Sequence, residues 1–219
     1  MFNLHTHHYT ATPNVTELVN QYPWEFDPAA VVYSMGIHPW FIDALQWPLH
    51  LEIVEKHLIK SSCLAIGECG LDKRIEVPFE LQMQVFEAHL ILAEQYQKPV
   101  VLHLVGAFQE LIALKKKLDI TVPLIVHGFS KNAQLAQELV NHGFYLSFGK
   151  YLLRNPELKA AFLAVPENRI FLETDTIEES ITDVYAKAAE YRNLDVSELE
   201  RRIERNRVEV FGGEERPLR

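Results

Sequence analysis

The sequence predicts an α/β protein of the TIM-like (β/α) barrel class, one domain over residues 1–219, distorted or trimmed at its last unit. Short apolar runs alternate with longer amphipathic stretches, which is the pattern of repeated βα units around a parallel sheet. Most of those runs end in a residue able to bind a metal or move a proton, and in a parallel barrel the C-terminal strand ends share one rim. The length, 219 residues, falls between the ~200 that such a barrel needs at minimum and the ~250 that is typical.

The opening stretch "FNLHTHHYT" predicts a strand over Phe2 to His7. His5 and His7 are two apart, so on a strand their side chains leave one face and converge. A second strand is expected over Ala30 to His38, from the apolar run that ends in "GIH", followed by a helix over Leu49 to Ile59. Cys63 to Glu68 reads as the next strand. The helix Phe79 to Gln97 is the clearest, with Leu81, Val85, Phe86, Leu90, Leu92 and Ala93 near a 3.6 period. Then come a strand over Pro99 to Leu104, a helix over Phe108 to Leu118, a strand over Val122 to His127 and a helix over Asn132 to Asn141. Phe144 to Phe148 and Arg169 to Thr174 complete the expected strands, with a helix over Pro156 to Leu163 between them. Two helices close the chain, Ser180 to Tyr191 and Ser197 to Phe211, the second with Ser197 as N-cap and Glu200 three residues later. Seven strands result, and the absence of an eighth after Asp175 is the reason for expecting a trimmed last unit.

With 48% hydrophobic and 23% charged residues the chain can bury a full core. Its longest apolar runs fall far short of a membrane span, and the start lacks the basic region and cleavage site of a secretory signal. A cytoplasmic protein is expected, with no membrane contact and no obligate protein partner. Cys63 and Cys69 flank one strand, roughly 20 Å apart if extended, too far for a disulfide. They should be free thiols of a reducing compartment. The net charge of −9 argues against wrapping long nucleic acid by counterion release alone. It does not exclude a nuclease, because two divalent ions would add four positive charges.

The strand ends collect His5, His7, His38, Glu68, His103, His127 and Asp175. A lone strand-end histidine is more often packed than ligating. So many at the ends of different strands point to metal, and His50, His57, His89 and His142, on or beside helices, read as structural or solvent-facing. A mixed imidazole and carboxylate set suits zinc, manganese, iron or nickel better than calcium. Two close ions would stabilise attacking and leaving oxygens and activate a water, which is hydrolytic chemistry.

The motifs "NLHTH", "GIHPW", "AIGECGLD", "KPVVLH", "VHGFS", "LETD" and "ERNRVEVFG", in this order and spacing, resemble the TatD-like metal-dependent hydrolases. The resemblance implies a barrel with two divalent ions, Zn, Mn or Mg, that hydrolyses phosphodiester bonds in DNA, often from the 3′ end. It places metal ligands at His5, His7, Glu68, His103, His127 and Asp175, with Glu68 bridging. It makes Asp175 the group that orients or deprotonates the attacking water and puts His38 on the scissile phosphate or leaving group. Asp175, Glu68 and His38 are thus the expected catalytic residues. Asn3 stands where the family usually has Asp, Val105 where an Arg is common, and "TDTIEES" lacks a usual Pro.

Lys73, Arg74, Lys131, Lys150 and Arg154 fall in expected loops on the metal-bearing rim and would hold phosphates. Trp40 is the candidate to stack on an unpaired base. The expected substrate is DNA or a small phosphodiester. Two alternatives stand beside it: a metallohydrolase of a small phosphoester, amide or lactone, and a non-catalytic metal-stabilised scaffold.

Overall fold

The computed structural model describes residues 1–213, so residues 214–219 of the expected domain lie outside the described residues. Its strands are β1 (Phe2–Thr6), β2 (Thr16–Gln21), β3 (Val32–Met35), β4 (Cys63–Asp72), β5 (Val100–Val105), β6 (Leu124–Val126), β7 (Tyr145–Phe148) and β8 (Ile170–Leu172). They follow one another in chain order in the sheet. The helices are α1 (Trp47–Leu58), α2 (Phe79–Tyr96), α3 (Phe108–Lys117), α4 (Ala133–Asn141), α5 (Lys150–Arg154), α6 (Leu158–Ala164), α7 (Ile181–Arg192) and α8 (Val196–Phe211). From β3 onward strands and helices alternate as expected, whereas no helix separates β1, β2 and β3.

The count of seven strands is corrected to eight, and the added one is β2. Its sequence, TELVNQ, carries only two apolar residues between polar ones, so no apolar period marks it. Glu17, Asn20 and Gln21 are buried, and each accepts at least one hydrogen bond. Glu17 accepts hydrogen bonds from the Thr10 hydroxyl at 2.7 Å and the Thr10 N–H at 3.0 Å. Asn20 Oδ1 accepts from the Glu68 N–H at 2.7 Å, and Gln21 Oε1 from the Asp27 N–H at 2.7 Å. Among the described residues no strand follows Asp175.

Two compact units divide the chain, residues 1–18 with 125–219, and residues 19–124. In residues 19–124, β3 pairs with β4 and β4 with β5, all parallel, with Met35 opposite Ile66 and Gly70 opposite His103. A Cβ on Gly67 would come within 2.4 Å of the Val101 carbonyl oxygen, so only glycine allows β4 and β5 this approach. The α2 helix packs Val85, Phe86, Leu90 and Ala93 into this unit's core, as its period requires. Its His89 is structural: Nε2 accepts from the Ile37 N–H at 3.1 Å while Nδ1 meets the Val85 carbonyl at 2.8 Å. Burial pushes this imidazole down to about 4, so it stays neutral.

In residues 1–18 and 125–219, β6 pairs with β7 and β7 with β8, again parallel. Asn3 joins β1 to the end of β8: its amide donates to Thr174 Oγ1 at 2.9 Å and its Oδ1 accepts from the Thr174 N–H at 3.1 Å. Asn3 is buried, so its departure from the family pattern serves strand pairing. The expected capping box at Ser197 is absent, because α8 starts at Val196 with Asp195 as N-cap. A reciprocal box does form at α7, between Ser180 and Asp183. The expected loop at Lys150 to Arg154 is the short helix α5.

Candidate metal centre

In residues 1–18 and 125–219, the backbone itself brings the first motif to the last. The Asp175 N–H donates to the His5 carbonyl at 2.9 Å and the His7 N–H donates to the Asp175 carbonyl at 3.2 Å, so Asp175 is clasped between them. Asp175 takes a left-handed conformation, φ 57°, which Asp tolerates better than most residues but which carries strain typical of functional positions. Its Oδ1 then lies 3.6 Å from His7 Nε2 and 3.9 Å from His5 Nε2, and Lys150 Nζ donates to Oδ2 at 3.0 Å. His5, His7 and Asp175 offer ligand atoms within 4.8 Å of one another. The His127 ring lies 4.4 Å from that of His5, centroid to centroid. Burial raises the Asp175 carboxyl, yet His127, His5 and Lys150 outweigh it and hold the group below the ordinary carboxylate range. It is an anion at neutral pH.

In residues 19–124, β4 and β5 and the turn after β3 supply a second cluster. Glu68 Oε1 is 2.9 Å from His103 Nδ1 and 3.2 Å from His38 Nε2, and these two nitrogens are 3.1 Å apart. All three ligand atoms fall within 4.8 Å. Glu68 and His38 are buried, which makes a carboxylate here costly without a compensating positive charge. The donor set, imidazole and carboxylate at ligand spacing, fits a transition-type divalent cation.

Hydrogen bonding separates the roles of the two histidines in this cluster. His38 Nδ1 accepts from the Trp40 N–H at 3.1 Å, so the neutral ring carries its proton on Nε2. That nitrogen is a donor, which suits contact with an anionic substrate better than metal ligation. His103 turns Nε2 toward Asp72 Oδ2 at 3.3 Å. Burial raises Asp72, but hydrogen bonds from Trp40 and the Arg74 N–H and the nearby His103 hold it below the ordinary range.

Sequence reading did not single out Asp72 or Glu173, although both lie inside the motifs "GECGLD" and "LETD". Glu173 Oε1 accepts from the Gly128 N–H at 2.8 Å and stands 3.3 Å from His127 Nδ1. A carboxylate two residues before Asp175, the spacing that shares one face of an extended stretch, was the available signal.

The expected substrate-binding residues divide by their partners. Lys150 pairs with Asp175, Arg154 forks onto Glu179, and Lys73 is paired with Glu110 on α3. Arg74 and Lys131 are exposed. Trp40 is 56% exposed, anchored by its Nε1 donating to Asp72 Oδ2 at 2.9 Å, with its ring 5.2 Å from His38 and 5.9 Å from His103. Cys63 and Cys69 are free and buried, which raises both thiols, Cys63 to about 12. No helix among the described residues is long and apolar enough to cross a membrane.

Comparison with known proteins places this geometry. The family model described as TatD related DNase matches residues 1–212. A 3′-5′ ssDNA/RNA exonuclease TatD of Citrobacter koseri is 30% identical over 167 residues, covering 73% of this chain and 63% of the relative. The metal-dependent hydrolase YabD of Bacillus subtilis is 31% identical over 177 residues, covering 74% and 64%. The chain thus spans less than two thirds of the length of these curated relatives. Among solved structures, the TatD homolog YJJV of Escherichia coli K12 superposes with a TM-score of 0.82 at 22% identity, covering 98% of each chain. A TatD family hydrolase of Entamoeba histolytica gives 0.78 at 15% identity, covering 96% of this chain and 97% of that one. These likenesses show the TIM-like barrel fold class expected from the sequence.

Proposed function

The chain belongs to the TatD related DNase family, and from that premise we propose that it is a metal-dependent hydrolase of phosphodiester bonds in single-stranded nucleic acid, working from the 3′ end. The observation that carries this reading is the pair of clusters, His5–His7–Asp175 and His38–Glu68–His103, each with ligand atoms within 4.8 Å. His5, His7, Glu68, His103, His127 and Asp175 would hold two divalent ions, of zinc, manganese or magnesium. When bound, such ions lower the pKa of a water and stabilise the attacking and leaving oxygens of a displacement. One hydrolase domain over residues 1–219 and a cytoplasmic setting, supported by the two free thiols, complete the proposal.

The chain's own residues supply the rest. Asp175 is kept anionic by His127, His5 and Lys150, so it can accept the proton of the attacking water near neutral pH. The Nε2–H of His38 is a donor to a phosphate oxygen or to the leaving oxygen, where charge develops. Trp40, exposed and held from behind by Asp72, offers a ring face to an unpaired base. Arg74 and Lys131 supply exposed cations for the phosphate backbone.

A second reading, hydrolysis of a small phosphoester, amide or lactone, is favoured by one observation. Lys73 and Arg154, the cations expected to grip a long substrate, are instead paired with Glu110 and Glu179. End-labelled single-stranded oligonucleotide given to metal-stripped protein re-supplied with Mg²⁺, Mn²⁺ or Zn²⁺ separates the two. A metal-dependent ladder shortening from the 3′ end supports the nuclease. No cleavage with any metal, alongside turnover of a small ester or lactone, overturns it.

A further inference from the structure

Next to His38, residues 19–124 leave several aromatic rings in contact with solvent. Trp24 is 41% exposed, Phe41 48% and Trp40 56%. Large apolar side chains exposed together mark a binding surface, because each leaves apolar area in water that a ligand would cover.

Local structure brings the rings together. Pro39–Phe41 is one 3₁₀ turn with His38 as its N-cap: the Trp40 N–H donates to His38 Nδ1 at 3.1 Å and the Phe41 N–H to the His38 carbonyl at 3.0 Å. Both rings therefore stand beside the same imidazole, Trp40 at 5.2 Å and Phe41 at 5.6 Å between centroids. After β2 the chain turns back on itself, the Glu25 N–H donating to the Tyr22 carbonyl at 3.2 Å with Pro23 at the second position of the turn. That turn lays Trp24 on Tyr22, centroids 5.1 Å apart and planes within 8°. Trp24 meets Phe41 edge to face at 5.8 Å. The aromatic surface is thus continuous from His38 through Phe41 to Trp24.

Charge indicates what this surface accepts. Residues 20–55, which supply all of these rings, contain no lysine or arginine, and Glu25 and Asp43 flank the two turns. A phosphate gains nothing from that stretch. A flat, uncharged ring gains stacking at little entropic cost, since Trp24 is held by Tyr22 and by His50, whose ring lies 5.0 Å away. In an unpaired nucleic-acid strand the flat, uncharged groups are the bases.

We propose that Phe41 and Trp24 form a second stacking position beside that of Trp40, taking the base next to the 3′-terminal one. The inference rests on the reading of the chain as a hydrolase of single-stranded nucleic acid. It adds a reason for preferring an unpaired strand, because a base in a duplex keeps its faces on its neighbours.

The test is binding of the Mn²⁺-loaded full chain to a phosphorothioate single strand, which resists hydrolysis, with 2-aminopurine as the second base from its 3′ end. Stacking quenches that fluorophore, so the wild type should quench it on binding. In W24A and F41A the quench should be lost and the strand bound at least about fivefold more weakly, the size of one base–aromatic stack. W24F, which keeps a ring, should recover most of both. A strand abasic at that position should bind the wild type as weakly as the intact strand binds W24A, and W24A should cost it nothing further. Should a variant fail to fold, the wild type compared on intact and abasic strands still decides. Equal affinity for those two strands, or a quench that survives in W24A, would overturn the inference while leaving 3′ cleavage, and so the nuclease reading, intact. A wild type that binds neither strand yet turns over a small ester or lactone would overturn both.

Discussion

In residues 1–18 and 125–219 the carboxylate at the centre of the cluster is paired with a lysine, whereas in residues 19–124 it is faced by imidazoles. Asp175 has Lys150 at 3.0 Å, and Glu68 has His103 at 2.9 Å and His38 at 3.2 Å. Together with His127 and His5, a lysine that keeps its charge across the physiological range holds Asp175 below the ordinary carboxylate range. Around Glu68, by contrast, His38 accepts at Nδ1 from the Trp40 N–H, and His103 stands between two carboxylates, Glu68 at 2.9 Å and Asp72 at 3.3 Å. The first arrangement suits a base and the second suits a ligand shell with a donor beside it. Similar residue types are put to different work by what stands behind them.

The largest expected effect comes from removing the base without touching the other cluster. D175N should lower turnover by about 10²-fold or more and still retain metal at Glu68 and His103. Steady-state kinetics with metal analysis checks this, and near wild-type turnover would make the two clusters equivalent.

Next in size is the buried imidazole of His89, which residues 19–124 keep neutral. Its pKa is pushed down to about 4 from an ordinary 6.5. The unfolded chain therefore binds the extra proton between those values, and stability present above pH 6.5 is lost as pH falls toward 4, by roughly 3 kcal/mol. Denaturant midpoints between pH 7 and 4 should fall steeply in the wild type and less steeply in H89Q, and parallel curves would contradict the assignment.

H38A should cost roughly tenfold in turnover, the size expected for losing one hydrogen-bond donor to a charged group. Metal content should stay unchanged, because His38 is assigned as a donor; loss of metal would move it into the ligand set. The smallest effect belongs to Lys150. In K150M one of the three supports of the Asp175 anion is gone, its pKa rises, and the acidic limb of the pH–rate profile moves to higher pH. K150R should restore the limb, and an unmoved limb in K150M would show that the ammonium does not act on Asp175.

The legible part of the molecule was whatever carries its own period or motif. α2 announces itself because one face repeats near 3.6 residues, and His5 with His7 because a strand has period two. The strand β2 was invisible for the opposite reason: Glu17, Asn20 and Gln21 are buried, and each accepts a hydrogen bond that only the fold supplies. Lys150 was read as a loop cation for phosphate, yet α5 brings it to Asp175, twenty-five residues along the chain. Asp72 and Glu173 show the same limit. Their motifs were read, but which nitrogen of a histidine each carboxylate faces is a matter of angle, and a linear sequence does not state angles.

The most direct test of the account is a metal count. Purified chain, stripped and then dialysed against Zn²⁺ or Mn²⁺, should hold two ions by mass spectrometry, held by the His5–His7–Asp175 cluster and by Glu68, His103 and His127. The double variant H5A/H7A should hold one, and so should H103A. Two ions in every variant, or none in the wild type, would contradict the reading of these clusters as the metal centre.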